Sequence, residues 1–317
     1  MRLNQKNPTI GFVLDLSHQG TFSGRVLNTF NVVGLQQITI PGDHLIHVTC
    51  REKQDRQENK SYFCNRWKGR LVISKNRIKF VQSLHRKKYR QRYRQFTVEG
   101  EKSVLELLHS SIKVVTIFTT AQWANDHVSG GAYDVVICEQ DDLKPISFFA
   151  TPSPVVAVAE MPELALNLPE KGAWYLALDG INDPGNLGTL IRIADWYGIS
   201  SIYCSEDTVD TFNPKTISSS MGSFTRVNVY HGNLPEYLST NGLPIYLTEM
   251  SGTPIDTLSN LEPGAIVIGS EAHGVREELR ELPVTSISIR RIGGAESLNA
   301  SVAAGIICDR LIQHTTP

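Results

Sequence analysis

Residues 293–299 have the sequence Gly293-Gly294-Ala295-Glu296-Ser297-Leu298-Asn299, and they lead directly into a predicted final helix, Ala300–His314. Two loops of similar composition precede them, at residues 179–188 and 269–274, and each follows a short apolar run. All three loops combine glycines with polar side chains, which leaves backbone N–H and C=O groups available to a ligand. One such turn is usually only a tight connection between two elements. Three of them indicate a binding site only if they lie close together in the fold.

Short apolar strands alternate with helices through the C-terminal half of the chain. A helix is predicted at Leu187–Tyr197, ending at Gly198, because glycine commonly terminates helices. This alternation predicts an α/β fold with a mostly parallel sheet, whose ligands bind at the carboxyl ends of the strands. The three loops should therefore form one pocket. The predicted strands are Tyr175–Leu178, Ile202–Cys204, Ile245–Thr248, Ile266–Ile268 and Ile287–Ile289.

A smaller α/β sandwich is predicted over residues 71–161. It begins with a basic amphipathic helix, Ile73–Lys88, in which apolar residues recur at helical spacing. Residues 162–172, with two prolines, are predicted to link this domain to residues 173–317. The predicted strands are Gln95–Val98, Val114–Thr119, Val135–Cys138 and Val155–Ala159, and the other helices are Glu101–His109 and Ala121–His127.

Residues 1–70 contain short apolar clusters between polar and turn-rich stretches, and no catalytic constellation. They are interpreted as a weakly packed extension. The five cysteines are scattered without a CxxC pair, which argues against a structural metal and a disulfide framework and favours a reducing, cytoplasmic location. The sequence contains neither an apolar membrane span nor a signal-peptide core, so we expect no membrane association.

The net charge of the chain is only −1, but its basic residues cluster. Residues 66–94 are rich in Lys and Arg and contain no Asp or Glu, a pattern that indicates a phosphate-binding surface. A solvated helix face is the alternative interpretation. The candidate RNA contacts are Lys75, Arg77, Arg86, Lys87 and Lys88.

None of the three loops has the GxGxxG spacing of dinucleotide sites or the GxxxxGK[ST] pattern of the phosphate loop, which argues against a nicotinamide or ATP enzyme. In order and spacing they instead resemble the three motifs of the SpoU-type (TrmH-like) RNA 2'-O-ribose methyltransferases of the SPOUT superfamily. The residues that carry the resemblance are Asp183–Gly188 with Arg192, Ile268–Gly274 and Glu296–Ala303, with Asn213–Lys215 and Ser220–Ser223 similar to the connecting segment.

The resemblance extends over about 245 residues if the middle zone is included, because Ser74–Gly100 looks like the start of a substrate-binding domain similar to an RNA-binding ribosomal protein. It implies S-adenosylmethionine as cofactor, a deep trefoil knot and an obligate homodimer. The side chains that match catalytic positions are Asn186, Arg192, Glu271, Ser297 and Asn299. The positions implied to hold the cofactor are Thr248, Gly269, Ile289 and Leu298.

The chemistry explains these residue types. A ribose 2'-hydroxyl is a poor nucleophile until its proton begins to leave, so positioning and stabilisation of the developing alkoxide should dominate catalysis. The family is often described with the arginine at Arg192 as general base. A guanidinium has a pKa above about 12, which favours a second interpretation in which Arg192 stabilises the alkoxide or a phosphate. The sequence does not separate the two.

Four of the five catalytic candidates also have a purely structural interpretation. Asn186 and Arg192 lie about 240° apart around a helix, so they converge only if Asn186 sits at the helix entry, where it would be a favoured cap. Glu271 would suit the first turn of a helix, where its negative charge interacts favourably with the positive end of the helix dipole. Ser297 and Asn299 would suit the N-terminus of the last helix as caps.

The sequence departs from the family pattern at two places. Arg290-Arg291 replaces a common Pro-Met pair, and Ser218-Ser219 stands where Arg-Ala is common. We hypothesise that the added arginines bind phosphate. The leading prediction is methylation of a ribose 2'-hydroxyl in rRNA rather than tRNA. The alternatives are a non-catalytic RNA-binding ribosome-assembly factor on the same scaffold and a methyltransferase acting on a base.

Overall fold

The computed structural model describes residues 36–40, 44–48, 73–128, 131–167, 169–240, 242–259, 261–270 and 273–313. The catalytic candidate Glu271 lies outside these residues, as does most of the N-terminal extension. Within that extension, strands β1 (Gln36–Ile40) and β2 (His44–Val48) pair antiparallel. The domain boundaries given above stay predictions.

Residues 73–160, which we call the N-terminal module, contain a mixed four-stranded sheet in the order β3-β6-β4-β5. Strands β4 and β5 are parallel, and the other two pairs are antiparallel. The strands are β3 (Gln95–Glu99), β4 (Val114–Thr119), β5 (Asp134–Ile137) and β6 (Val155–Glu160). The helices are α1 (Lys75–Ser83), α2 (Lys87–Tyr93), α3 (Glu101–Leu108), α4 (Ala121–His127) and α5 (Gln140–Leu143).

Both faces of this sheet are buried, as the alternation along β6 shows. Val155, Ala157 and Ala159 belong to the same core as Val104 of α3 and Trp123 of α4. The intervening Val156 and Val158 pack into a second core with residues of α1 and α5. The module is therefore a sheet with helices on both sides, which confirms the predicted α/β character.

The basic helix predicted at Ile73–Lys88 is in fact two helices, so the prediction of one continuous element is wrong. The buried Leu84 caps the C-terminus of α1 and still has helical backbone angles. Arg86, just before α2, has an extended backbone (φ −105°, ψ 130°), so the helix is interrupted there. The guanidinium of Arg90 donates to the Leu84 carbonyl at 2.8 Å and so satisfies a backbone group that the turn exposes. Apolar spacing continues across the turn, which explains why the sequence pattern did not reveal it.

Residues 175–313, the C-terminal module, are built on a six-stranded sheet in the order β12-β10-β11-β7-β8-β9, as far as the described residues go. Every neighbouring pair in it is parallel. The strands are β7 (Tyr175–Asp179), β8 (Ser201–Ser205), β9 (Asn228–Gly232), β10 (Ile245–Pro254), β11 (Ala265–Gly269) and β12 (Val284–Ser288). The helices are α6 (Pro184–Trp196), α7 (Pro214–Ser220), α8 (Leu234–Thr240), α9 (Glu277–Arg280) and α10 (Ala300–Gln313).

Strand β10 is longer than the sequence predicted. Its pairing with β12 shifts register between Thr248 and Thr253, so the strand continues past Thr248 to Pro254. Gly252 lies against the neighbouring strand, where an added Cβ would lie 2.6 Å from the Ile287 carbonyl carbon. A residue with a side chain does not fit at this crossing, so glycine is required there.

The two modules share a packed interface. The ring of Phe96 on β3 lies 4.7 Å from that of Phe212 and 6.0 Å from that of Phe224, both of the C-terminal module. Ile217 of α7 is buried in the same core. Helix α7 thus packs against β3, and the modules meet through apolar contact rather than only through a linker.

Candidate active site

The three glycine-rich loops lie at one edge of the C-terminal sheet, as predicted. They follow β7, β11 and β12, and β11 lies directly beside β7 with Gly269 paired to Asp179. Because the strands are parallel, their carboxyl ends meet at this edge. Helix α6 begins at Pro184, inside the predicted first loop and before the predicted start at Leu187, whereas α10 begins after the third loop; the two helices pack against each other.

Asp183, not Asn186, caps the first of these helices. Its Oδ1 accepts the backbone N–H of Asn186 at 2.9 Å, and Pro184 occupies the first helical position. Lys215 Nζ lies 2.8 Å from the other carboxylate oxygen, and this hydrogen bond lowers the pKa of Asp183. The interpretation of Asn186 as a mere cap is therefore wrong, and its side chain has a partner on another loop of the site.

Asn299 supplies that partner. Its Nδ2 donates to Asn186 Oδ1 at 3.0 Å, while its own Oδ1 accepts from the backbone N–H groups of Ser301 and Val302 at 3.0 and 3.3 Å. Asn299 therefore both caps α10 and binds the first loop. Ser301, which lies within the third motif but was not predicted as a site residue, donates to the Asn186 carbonyl at 3.1 Å.

Arg192 lies on the exposed face of α6, near the largely exposed Trp196 one turn further along. Within the described residues its guanidinium makes no ion pair, so it remains free to meet an anion. Ser297 is also exposed, in the loop before α10. The structure adds to them the geometry of the Asn186–Asn299 pair.

Backbone hydrogen bonds close the second loop. Ser270 N donates to Gly274 O at 3.0 Å, and Gly274 N donates to Ser270 O at 2.8 Å. A Cβ on Gly269 would lie 2.3 Å from the Gly274 carbonyl carbon, so glycine is required there. This close approach of Gly269 to Gly274 suits a site that binds a ligand through backbone groups.

An ion-pair cluster that the sequence did not reveal ties the second loop to the first. Arg276 donates its backbone N–H to Asp179 Oδ2 at 2.8 Å, and its Nε lies 2.8 Å from Asp179 Oδ1. A further bond joins Arg276 to Asp207, which also accepts from Ser205 Oγ at 2.7 Å. Burial raises the pKa of Asp179, against the opposing effect of Arg276. Asp179 directly follows the predicted strand Tyr175–Leu178, and that position was the available signal.

The predicted cofactor positions lie on three adjacent strands. Thr248 is on β10, Gly269 ends β11, and Ile289 directly follows β12. Thr248 Oγ1 donates to Val267 O at 2.7 Å, so its hydroxyl oxygen can still accept a bond from a ligand. Leu298 is about half exposed, and a Cβ on Gly293 or Gly294 would meet only open space.

This donor set fits a polar organic cofactor such as S-adenosylmethionine, whose adenine and amino-acid groups need hydrogen bonds rather than metal ligands. In the part of the chain that the structure describes, no cluster of three or more His, Cys, Asp or Glu side chains is arranged to hold a metal ion. None of the described helices combines the length and apolar character that a bilayer crossing needs.

The two arginines that depart from the family pattern flank this edge. Arg290 Nη2 lies 3.1 Å from Asp256 Oδ2, so this ion pair already partly neutralises the charge of Arg290. Arg291 is exposed and makes only a long contact, 3.5 Å, with the Ala295 carbonyl. Of the two, Arg291 is better placed to bind an added phosphate.

Comparison with known proteins agrees with this geometry. Residues 173–309 match the model of the SpoU rRNA Methylase family, and residues 75–157 match that of the MRM3-like substrate binding domain. The 23S rRNA (guanosine(2553)-2'-O)-methyltransferase RlmP of Bacillus subtilis is 33% identical over 237 residues, which are 73% of this chain and 94% of that protein. The chain belongs to the SpoU rRNA methylase family. The resemblance seen in its motifs is thereby confirmed.

Solved structures of other SpoU-type enzymes superimpose on most of this SpoU methylase. An AdoMet-bound rRNA methyltransferase from Sinorhizobium meliloti is 28% identical with a TM-score of 0.70, covering 78% of this chain and 98% of that one. The SpoU methyltransferase AviRb from Streptomyces viridochromogenes, in complex with AdoMet, is 26% identical with a TM-score of 0.68, covering 76% and 98%. The shared fold therefore includes both modules.

Proposed function

We propose that this protein is an S-adenosylmethionine-dependent methyltransferase that modifies a ribose 2'-hydroxyl in rRNA. The observation that carries this proposal is the bond between Asn186 and Asn299, which joins the first and third family motifs at the sheet edge where ligands bind. RlmP, whose printed name gives this reaction on 23S rRNA, supports the choice of RNA and of the ribose oxygen.

The cofactor proposal rests on the donor set and on the two relatives whose structures contain AdoMet. Backbone groups at Gly269, Ile289 and Leu298, with Thr248 beside them, would hold S-adenosylmethionine. When bound, this cofactor supplies an electrophilic methyl group with a neutral thioether as leaving group. The protein then has to position the ribose and stabilise charge on its 2'-oxygen.

Arg192 is assigned the electrostatic part of that task. Its exposed guanidinium is free to approach the 2'-oxygen or the neighbouring phosphate as the hydroxyl proton leaves to solvent or phosphate. A guanidinium does not readily give up a proton, which disfavours its use as general base. Asn186 and Asn299 hold the two loops, and Ser297 and Glu271 are proposed as further polar groups of the site.

The exposed basic face of α1 and α2 is the proposed RNA-binding surface. Lys87 and Lys88 lie on α2, Arg86 precedes it, and Lys75 and Arg77 lie on α1; all five side chains are exposed. Positive charge on one face attracts the phosphates of any RNA, and so supplies affinity more than sequence specificity.

A homodimer is proposed from apolar side chains left exposed beside the site. Val302 and Ile306 lie one turn apart on α10 and are 52% and 37% exposed, and Trp196 on the neighbouring α6 is 83% exposed. Such a patch favours a protein interface. Ile306→Asp is expected to produce monomers in sedimentation experiments, and a wild-type protein that is monomeric at micromolar concentration would contradict the proposal.

The trefoil knot is proposed from the path of the last segment. Strand β12 lies at the edge of the sheet beside β10, whereas α10 packs against α6 and β11, so the chain between them passes back across β10. Helix α10 also contacts the 3₁₀ turn Ile255–Thr257, which belongs to the connection between β10 and β11. A cytoplasmic location stays a prediction from cysteine usage.

The deciding experiment is methyl transfer from labelled S-adenosylmethionine to rRNA that lacks the modification. Wild-type protein should place label in ribose 2'-O-methyl nucleotides, and Arg192→Ala should lose at least about tenfold in rate, as expected for loss of transition-state charge stabilisation. Lys171→Ala, an exposed lysine in the predicted linker, is the control. Cofactor binding without transfer to any rRNA or tRNA would favour the assembly factor, and label on a base would favour base methylation.

A further inference from the structure

Helix α2 lies in the N-terminal module, and its buried residue Arg90 bonds directly to the C-terminal module. Arg90 is only 2% exposed, although Lys87 and Lys88 on the same helix are exposed. Its Nε and Nη2 donate to Asp210 Oδ2 at 3.0 and 2.5 Å. Its Nη1 donates to the Leu84 carbonyl at 2.8 Å, so all three nitrogens of the guanidinium have partners.

Asp210 is itself rigidly placed in the C-terminal module. Its second oxygen, Oδ1, accepts the backbone N–H of Phe212 at 3.1 Å. Its backbone carbonyl accepts from Asn213 N at 3.1 Å and from Thr216 Oγ1 at 3.3 Å, and these bonds fix the entry into α7. The carboxylate that receives Arg90 is thus attached to a helix start rather than to a free loop.

Helix α7 carries the connection on to the proposed active site. Lys215 Nζ binds Asp183, the residue that caps α6, at 2.8 Å. The two helices approach so closely that a Cβ on Gly188 would lie 2.4 Å from the Thr216 carbonyl oxygen. A continuous series of bonds and packed backbone therefore runs from α2 to the helix that bears Asn186 and Arg192.

The energetics of a buried ion pair suggest what this one contributes. Burying two charges costs several kcal/mol per ion, and apolar replacements of similar volume are often at least as stable. Stability alone therefore does not explain the pair. Its geometry, with two donors on one oxygen and a third on a carbonyl, fixes both the distance and the rotation of α2.

We propose that Arg90, through its buried bond to Asp210, is a positioning residue that sets where RNA held on α2 lies relative to Arg192 and the methyl-transfer site. This inference rests on the proposed function. RNA that contacts Lys87 and Lys88 follows α2, so a displacement of α2 moves the target ribose. Misplacement by about 1 Å can cost about a hundredfold in rate.

The test compares Asp210→Asn and Arg90→Lys with a matched control at the same interface. Arg226 joins Asp195 of the C-terminal module to Glu106 of the N-terminal module, but that cluster is partly exposed. Glu106→Gln therefore removes an inter-module ion pair that the proposal does not require. For each variant we would measure the single-turnover rate at saturating RNA and cofactor, and the Kd for each ligand separately.

The expected result is a single-turnover rate at least about tenfold lower than wild type for Asp210→Asn. Arg90→Lys, which keeps the charge, should lose less, and Glu106→Gln should match the wild type. Both Kd values should stay within about twofold, because neither the basic face nor the cofactor loops are altered. An unchanged single-turnover rate in Asp210→Asn would overturn the inference. Absence of transfer by the wild type would instead overturn the proposed function.

A second variant separates positioning from folding. Arg90→Met with Asp210→Leu removes both charges, so it is expected to fold and bind the cofactor even if a single substitution does not. The proposal expects this double variant to bind RNA and cofactor normally but to transfer slowly. A wild-type rate would show that the pair does not set the position of α2, and loss of cofactor binding here as well would show that the pair holds the fold and not the register.

Discussion

Asn299 performs two tasks with the two ends of one amide, and the tasks can be separated. Its oxygen caps α10, and its nitrogen donates to Asn186. Asn299→Asp keeps an oxygen for the cap and even suits the helix dipole, but it has no N–H to donate. Asn299→Ala removes both functions and should cost about 1 kcal/mol of stability.

We therefore expect Asn299→Asp to unfold at nearly the wild-type temperature and yet to lose most methyl transfer. Asn299→Ala should be impaired in both measurements. Thermal unfolding and a labelled-methyl assay on the same preparations check this. Full activity of Asn299→Asp would mean that the bond to Asn186 has no part in the reaction.

Gly188 offers a second prediction at the scale of one atom. An added Cβ would meet the Thr216 carbonyl oxygen at 2.4 Å and the Ser219 Cβ at 2.6 Å, neither of which is a flexible end. Gly188→Ala should therefore destabilise the protein by about 1–3 kcal/mol, as overpacking does, despite the better helix propensity of alanine. Gly293→Ala, which meets open space, should be nearly neutral in the same denaturant titration.

At this scale the sequence predicted residue types better than their partners. The resemblance brought Asn186 and Asn299 together, and the structure joins them directly. It did not predict that Asp183 would be the cap, since Asp and Asn suit that position equally well. Arg90 and Arg276 were beyond prediction, because nothing local distinguishes a paired arginine from the solvated arginines near it in the sequence.

Among the elements, α2 carries a prediction about RNA. Lys87→Glu with Lys88→Glu should weaken RNA binding and lower the slope of log affinity against log salt by about 2, if each lysine neutralises one phosphate. Lys171→Glu, an exposed lysine in the predicted linker, is the control. Filter binding at several salt concentrations measures both quantities, and an unchanged slope would place the RNA on another surface.

Elements were predicted best where apolar runs are bounded by clear signals. Strand β4 and helix α4 have the predicted bounds, because Thr120 between them is an unambiguous N-cap. Strand β9 was missed, since only Val229 and Tyr230 of it are buried at the sheet edge. Helix α7 was missed because its Ser-rich sequence has low helix propensity and its stability comes from packing on α6 and β3.

The whole molecule should respond to acid through its module interface. His85 and His231 both have a lowered pKa, mainly because the protein around each ring removes water that would stabilise the charged form. At His85, Glu99 and the Ile146 carbonyl oppose the lowering of the pKa, and Arg90 reinforces it. At His231, Asp210 and the Ser205 backbone oppose the lowering, and Lys87 reinforces it. Each histidine therefore binds a proton more readily in the unfolded chain, where its pKa is 6.5, than in the folded protein. As the pH falls below 6.5, protonation favours the unfolded chain and the protein loses stability.

We therefore expect the free energy of unfolding to be lower at pH 5.5 than at pH 7.5, at about constant ionic strength, since both histidines must then bind protons on unfolding. His85→Gln with His231→Gln should reduce the difference. Asp179, whose pKa is raised, acts in the opposite direction and should not be altered in this experiment. A difference as large in the double variant as in the wild type would contradict the assignment to these histidines.

The bond between Asn186 and Asn299 spans 113 positions of the chain, and this separation has a consequence for synthesis. A ribosome releases the N-terminal module, with its basic face, long before it releases Asn299. Strand β7 likewise waits for β11 before it gains its second neighbour. If the basic face binds RNA as proposed, the nascent chain can capture RNA during that interval but cannot modify it, so translation that stalls late should yield a competitor of the finished enzyme.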